Sequence, residues 1–310
     1  MERISANTVS KQDMTVRLGN QGKSLADGFD CFRVLTAGSL REYLTAADDA
    51  ESHQDGARAE LTALVRQYLD DGGGVLILTG LPVDRVRSER AVLRATRLLG
   101  QPVPQNREGS LVREVRDRGM SISQRGRTRY SDSRFGGDLH TDGAEAPLPA
   151  PDVFILFCVR QTAQGGALRC LHIRDIEPAL GPEIVSTLRL PFHFDRRGDQ
   201  EAGELPTTAK PVLFTQRERP AISYLRSYIE HGHDCPDVPP LTAGQRAALD
   251  ALDSVIATSA ATLTGKLHEG ELALFDNLSL LHGRTEFRDD PDHTRLLLRT
   301  WVRRGMTGQS

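Results

Sequence analysis

In residues 57–70, Leu61, Leu64, Val65, Tyr68 and Leu69 recur at helical spacing, which predicts an amphipathic helix with one buried face. Gly72-Gly73-Gly74 follows, and glycine's tolerance of positive φ suits a helix stop. The apolar run Val75-Leu76-Ile77-Leu78 then reads as a strand ending at Gly80 and Pro82, and a second helix opens near Ser88 and closes at Gly100. From Gln101 to Asp138 sustained periodicity lapses. Beyond it, residues 153–159 form a continuous apolar run of the buried-strand type, and residues 167–173, 212–215, 221–224, 272–275 and 295–302 read as further short strands. The one clear helix in this half opens at Thr242, with Gln245 three residues on in a capping-box pattern. It carries Leu249, Leu252, Ile256 and Leu263 on one side.

Helices gathered before many short strands argue for a mainly β fold with flanking helices, an antiparallel barrel or jelly roll rather than a doubly wound sheet. No glycine-rich phosphate loop contradicts this. No linker composition or repeat divides the chain, so a single domain over residues 31–310 is expected behind a flexible N-terminal arm, residues 1–30. Lys and Arg number 39 against 42 Asp and Glu, a net charge of −3, which lacks the electrostatic footprint of a nucleic-acid binder. No run approaches the roughly 18–20 apolar residues of a membrane helix, and Met1 to Asn20 has no apolar signal core. A cytoplasmic protein without a membrane partner is expected. Cys31, Cys158, Cys170 and Cys235 are too widely spaced for a zinc ribbon and fit reduced thiols.

The chemistry concentrates in two places. In Gly137-Asp138-Leu139-His140-Thr141-Asp142 an imidazole and a carboxylate stand two residues apart, so in an extended chain both leave the same face, about 6.6 Å apart at Cα. These are two of the three ligands of a facial triad for non-haem Fe(II), which leaves positions open for substrate-derived ligands and O2. His282, in Leu280-Leu281-His282-Gly283-Arg284, stands just after a strand, where a barrel rim could supply the third. In residues 295–302, Arg295, Leu297, Arg299 and Trp301 share one strand face and Leu296, Leu298, Thr300 and Val302 the other. The two arginines lie about 13 Å apart, a spacing that suits two different anions. His231-Gly232-His233-Asp234 is a competing ligand cluster whose other reading is a polar loop, while His172, His193, His268 and His293 have no partner at ligand spacing. The same donors would also serve a zinc hydrolase or a non-catalytic cupin-like binding protein. Between Gln101 and Asp138, Arg107, Arg113, Arg116, Arg118, Arg125, Arg127, Arg129 and Arg134 form a basic stretch that is either a solvated loop or a lid facing an anionic substrate.

Over about residues 74–303 the chain resembles the Fe(II)/2-oxoglutarate-dependent oxygenases of the taurine dioxygenase and clavaminate synthase type. The resemblance rests on Leu76-Ile77-Leu78-Thr79-Gly80-Leu81-Pro82, His140-Thr141-Asp142, Tyr224-Leu225-Arg226-Ser227-Tyr228-Ile229-Glu230, and Asp276-Asn277, His282-Gly283-Arg284-Thr285 and Arg295-x-x-x-Arg299-Thr300-Trp301, in that order. It implies a double-stranded β-helix core and Fe(II) on His140, Asp142 and His282, each imidazole oriented through its second nitrogen. It implies 2-oxoglutarate with its distal carboxylate on Arg295, and Arg299 meeting a substrate acid group or supporting the cosubstrate. O2 completes the set, and a substrate C–H is hydroxylated with release of succinate and CO2. The chain departs from many relatives in having Ala167 and Leu168 where a threonine helps hold the distal carboxylate. Asp142 argues against the halogenating branch, which replaces the carboxylate to admit chloride. The substrate expected is a small anionic or amino-acid-like molecule, with a phosphorylated or nucleotide-like one as the alternative.

Overall fold

A computed structural model of the chain describes residues 28–47, 51–120 and 130–305. Its larger sheet has seven strands. Six run in the order Arg33–Leu35, Val75–Thr79, Leu272–Asp276, Val153–Arg160, Leu296–Arg304 and Gly100–Val103, and Arg113–Val115 also pairs with Leu296–Arg304. The first pair is parallel and the others are antiparallel. The period-two pattern decides which face each residue takes. Leu76, Leu78, Ile155, Phe157, Leu272, Leu274 and Leu298 pack outward against Leu61, Val65, Val92 and Ala95 of the helices Glu51–Val65 and Arg85–Leu99. Their neighbours Val75, Ile77, Phe154, Leu156, Phe275, Leu297 and Trp301 face inward. Each such fully buried aliphatic or aromatic side chain contributes about 1.5–3 kcal/mol, so slipping a strand by one residue would forfeit both layers.

The inward face meets a second, four-stranded sheet ordered Leu263–Gly265, Leu168–His172, Leu280–Arg284 and Gly137–His140, whose Leu168, Cys170 and Leu280 join the same inner cluster. The outer side of this smaller sheet, through Leu139, Leu171 and Leu281, is covered by Phe192, Phe194, Tyr224, Ile229, Leu249 and Leu252. Thr242 caps the Ala243–Thr258 helix in the expected capping box with Gln245. The architecture is thus mainly β with flanking helices.

Several sequence expectations need correction. The first long helix already covers Glu51, ahead of the expected residue 57, and its last turn is a π turn at Arg66–Asp70, ending before the glycines as expected. The second half holds three unexpected helices, Ile173–Ile176, Pro182–Leu188 and Arg226–His233. The last absorbs His231 and His233, read above as a loop, and Gly232 inside it hid the helix. A Cβ on Gly232 would stand 2.2 Å from the His193 carbonyl oxygen, so close packing on the Pro191–Asp195 strand excludes any larger residue. The strand expected at 221–224 is Arg219–Ile222, paired with Leu213–Gln216 across a tight turn at Arg217 and Glu218. Both turn residues adopt positive φ, 52° and 59°, without the glycine or asparagine that announces such a turn. Of the expected N-terminal arm, residues 1–27 lie outside the described residues. Gly28 and Phe29 belong to the body, since the Gly28 N–H donates to Thr264 O at 3.0 Å and the buried Phe29 packs on Phe275. No helix among the described residues is long and apolar enough to cross a membrane, and all four cysteines are free.

Candidate metal centre and its cavity

The strands Gly137–His140 and Leu280–Arg284 run antiparallel with His282 directly opposite His140, so both imidazoles leave the same face of the smaller sheet. The ring centroids are 4.6 Å apart. Gly283 permits this pairing: a Cβ there would approach Gly137 O to 2.7 Å. Past His140 the chain is pinned on both sides. The Thr141 N–H donates to Tyr224 O at 2.9 Å, and the Tyr224 N–H donates to Thr141 Oγ1 at 3.0 Å. The buried Asn277 side chain brackets Asp142, accepting from its N–H at 2.9 Å and donating to its carbonyl at 3.0 Å and to Pro151 O at 2.9 Å. As a result, one donor atom from each of His140, Asp142 and His282 lies within 4.8 Å of the others, the one such grouping of three among the described residues.

The surroundings fix the protonation of each donor. Asp142 Oδ1 accepts from Arg299 Nη1 at 2.7 Å and lies 3.9 Å from His282 Nε2, while Oδ2 accepts from the Trp301 Nε1–H at 2.8 Å. Burial raises the Asp142 pKa, but Arg299, the two imidazoles and the Trp301 donor outweigh it and hold the carboxyl below its usual value. Burial lowers both histidines, and His282, with His140 beside it, is pushed down to about 3. His140 Nδ1 is 2.7 Å from the Asp138 carbonyl, which can only accept, so Nδ1 carries the proton and Nε2 keeps its lone pair. The matching expectation for His282 is not met. Its Nδ1 is buried without a hydrogen-bond partner, and Phe154 orients the ring at a centroid distance of 4.1 Å. Two neutral imidazoles and one ionised carboxylate suit a divalent cation such as Fe(II), so the residues present fit the metal.

The centre opens on two lobes of a cavity. The larger runs past His282 between Phe154, Leu156, Leu168 and Leu297 to Arg284 and Arg295. The smaller is lined by Asp142, Glu145, Leu225, Tyr228 and Trp301. Tyr130, Ser131, His140 and Arg299 are common to both walls. Arg295 is only 1% exposed, yet its Nη1 has no hydrogen-bond partner. Its Nε donates to Gln161 Oε1 at 3.2 Å, and its guanidinium lies over the Phe287 ring. Burial, with Arg284 nearby, pushes Arg295 down to about 9. Leu168 lines the lobe and offers no hydrogen bond. Arg284 lies over the same Phe287 ring and donates to Ser133 O at 2.7 Å and Phe135 O at 3.0 Å, tying the approach of the His140 strand to the His282 strand.

Arg299, expected to face a substrate acid group, lines both lobes but directs Nη1 to Asp142 and donates from Nε to Gln105 Oε1 at 2.8 Å. Strand alternation gave its face correctly but could not show that the Asp142 carboxylate stands opposite. The competing cluster is not assembled. His231 and His233 lie on one helix, and His233 Nε2 accepts from the His193 N–H at 3.1 Å. Within the arginine-rich stretch, Arg113 and Arg118 bind Asp132 and Arg116 binds Glu114, while Arg125, Arg127 and Arg129 lie outside the described residues. Sequence reasoning missed Glu145, Tyr130, Gln105 and the bracing roles of Asn277 and Trp301. Asn277 and Trp301 stood in the quoted motifs, whereas Glu145 and Gln105 left no local signal.

The sequence matches the description "Taurine catabolism dioxygenase TauD, TfdA family" over residues 40–301. It is 24% identical over 322 residues to FR-33289 synthase of Streptomyces rubellomurinus, covering 95% of this chain and 91% of that protein. It is 29% identical over 260 residues to L-asparagine oxygenase of Streptomyces coelicolor, covering 74% and 71%. Among solved structures, an asparagine oxygenase in complex with Fe(II), 2S,3S-3-hydroxyasparagine and succinate aligns with a TM-score of 0.66 at 26% identity, over 87% of this chain and 93% of that one. The non-heme iron oxygenase OrfP with Fe and alpha-ketoglutaric acid aligns at 0.64, with 18% identity over 87% and 93%, a likeness of fold. With the match spanning nearly the whole described chain, the protein belongs to the TauD/TfdA family of dioxygenases.

Proposed function

We propose that this Fe(II)- and 2-oxoglutarate-dependent oxygenase hydroxylates an unactivated C–H bond of a small amino-acid-like substrate, at iron held by His140, Asp142 and His282. The family's cofactors are Fe(II), 2-oxoglutarate and O2. The observation that carries the assignment is the convergence of those three donors beside a buried, under-satisfied guanidinium, Arg295. The facing sheets are read as a double-stranded β-helix, and residues 31–310 as one oxygenase domain. The similarity to an asparagine oxygenase supports an amino-acid substrate.

When bound, iron with 2-oxoglutarate and O2 supplies the oxidising power for C–H hydroxylation and releases succinate and CO2. The chain's own residues do the rest. Arg295 takes the distal carboxylate of 2-oxoglutarate at the end of the larger lobe, where its Nη1 gains the acceptor it lacks. Phe154, Leu156, Leu168 and Leu297 keep that lobe apolar and exclude water. Asp138 O fixes the tautomer of His140, and Arg299 and Trp301 hold the Asp142 carboxylate ionised and oriented. The smaller lobe, on the other side of His140, receives the substrate.

Anaerobic titration of the Fe(II)-loaded protein with 2-oxoglutarate tests this reading through the visible metal-to-ligand charge-transfer band. The band is expected to appear, and amino acids are expected to stimulate succinate formation. A folded, iron-loaded protein that never develops the band would refute it.

A further inference from the structure

Arg295 stands one residue ahead of the strand Leu296–Arg304, and Gln161 one residue past the strand Val153–Arg160. Leu296 pairs with Arg160, so the two side chains leave neighbouring strand ends together. Gln161 Oε1 accepts from Arg295 Nε at 3.2 Å and from the Thr162 N–H at 3.1 Å, while its Nε2 donates to Leu267 O at 2.7 Å. A backbone carbonyl can only accept, so the amide is held with its nitrogen toward Leu267 and its oxygen toward Arg295. Gly166 closes over this contact. At its φ of 74° a Cβ would stand 3.3 Å from Gln161 Oε1 and 3.4 Å from Arg295 Nε. The next residues back, Gln164–Gly165, pair with Phe287–Arg288, and the Phe287 ring carries the guanidinium at 5.1 Å.

The nearby carboxylates are engaged elsewhere. Asp289 Oδ1 accepts from the Arg295 backbone N–H at 2.8 Å, and Glu269 Oε1 meets the Gln161 N–H at 3.1 Å and His293 Nε2 at 3.0 Å. The guanidinium is thus fixed by a neutral amide oxygen and an aromatic face, and Nη1 is left without a partner in the larger lobe. A neutral acceptor orients a cation without cancelling its charge, whereas a carboxylate in the same place would pair with it and compete with an incoming anion. We propose that Gln161 is a positioning residue for the cosubstrate: its side-chain oxygen aims Arg295 at the distal carboxylate of 2-oxoglutarate and, being uncharged, leaves the whole charge of the guanidinium to that carboxylate. This deepens, and rests on, the 2-oxoglutarate reading above. It gives Arg295 a fixed partner in a chain that has Ala167 and Leu168, and no hydroxyl, directly after Gly165-Gly166.

The test uses the full-length protein loaded with Fe(II) under anaerobic conditions, with binding read from the metal-to-ligand charge-transfer band. It compares 2-oxoglutarate with 2-oxopentanoate, which has the same 2-oxo acid head and a methyl group in place of the distal carboxylate. The parent is expected to bind 2-oxoglutarate at least about 30-fold more tightly, since only that ligand reaches Arg295 with a charge. Gln161→Leu should raise the Kd of 2-oxoglutarate about 10-fold, the worth of one net hydrogen bond of ordinary strength, and leave that of 2-oxopentanoate unchanged. Gln161→Glu should go further and bring the two Kd values close together, because its carboxylate takes the charge of Arg295. Gln161→Met serves if Gln161→Leu does not fold. A ratio of the two Kd values that stays at the parent's in both the Leu and Glu variants, or a loss of affinity equal for the two ligands, would overturn the role of Gln161 and leave the oxygenase reading standing. A parent that develops the band with 2-oxoglutarate but binds both ligands equally would overturn the role of Arg295 and this inference with it. A folded, iron-loaded parent that develops no band with either would overturn the 2-oxoglutarate reading and this inference together.

Discussion

Arg295 offers a prediction in which stability and function move in opposite directions. In the cosubstrate-free protein its guanidinium is almost wholly buried, Nη1 has no partner, and burial has displaced it from 12.5 to about 9. That displacement corresponds to a penalty on the order of 5 kcal/mol for the buried cation, which stays charged at neutral pH. Arg295→Met removes the charge and nearly conserves volume. It forfeits the Gln161 hydrogen bond and the contact with Phe287, together about 1–3 kcal/mol. The variant should therefore be more stable than the parent without 2-oxoglutarate, by about 2–4 kcal/mol, or roughly 2–4 °C in Tm per kcal/mol. At a cosubstrate concentration of about 100 Kd the parent should gain about 2.7 kcal/mol. The variant should gain no more than about 0.9 kcal/mol at the same concentration, because its Kd for 2-oxoglutarate rises at least about 30-fold when the distal carboxylate is left uncompensated. Thermal unfolding with and without 2-oxoglutarate reads both effects. A variant that melts below the parent and still responds fully to 2-oxoglutarate would show that Arg295 is a structural cation with no anion to receive.

Four further outcomes are expected. His140→Ala should lose Fe(II) binding by equilibrium dialysis and all turnover, whereas His231→Ala should retain both; the reverse pattern would move the centre to the 231–234 cluster. Trp301→Phe leaves Asp142 Oδ2 without its buried donor, so iron affinity should fall about 10- to 100-fold and stability by about 1–3 kcal/mol, and unchanged affinity would remove Trp301 from the support of the centre. Gly283→Ala brings a Cβ to 2.7 Å from Gly137 O, so it should part the two histidine strands and weaken iron binding, read by the same dialysis; affinity equal to the parent's would mean that the strands give way freely. Lys210 titrates at about 7 when folded and at its ordinary 10.5 when unfolded, so between these values the unfolded chain binds more protons and stability rises with pH. The rise approaches about 1.4 kcal/mol per pH unit, and urea unfolding of Lys210→Met, which should lack it, would contradict this by showing the same slope as the parent.

Features set by near neighbours in the chain were legible in the sequence. The two faces of residues 295–302, the apolar run that became Val153–Arg160, and the capping box at Thr242 each depend on residues within a few positions, and the structure keeps all three. The motif His140-Thr141-Asp142 was visible for the same reason, and ordered spacing to His282 and Arg295 pointed to the family that the comparisons show. Element ends were less readable. The Arg226–His233 helix contains a glycine dictated by the backbone of a distant strand, and the Arg217–Glu218 turn adopts positive φ with residues that give no such signal.

What only the tertiary structure decided is how residues far apart in sequence meet. Pairing the Gly137–His140 and Leu280–Arg284 strands in one particular register places His282 opposite His140, and a neighbouring register would part the imidazoles. Arg299 stands 157 positions from Asp142 and binds its carboxylate, a meeting produced by packing the larger sheet over the smaller one. Lys210 donates to the Ala146 carbonyl, 64 positions away, for the same reason. Side-chain periodicity fixes which way a residue points because backbone geometry is local. What it points at depends on strand order and sheet packing, which burial of the whole core selects.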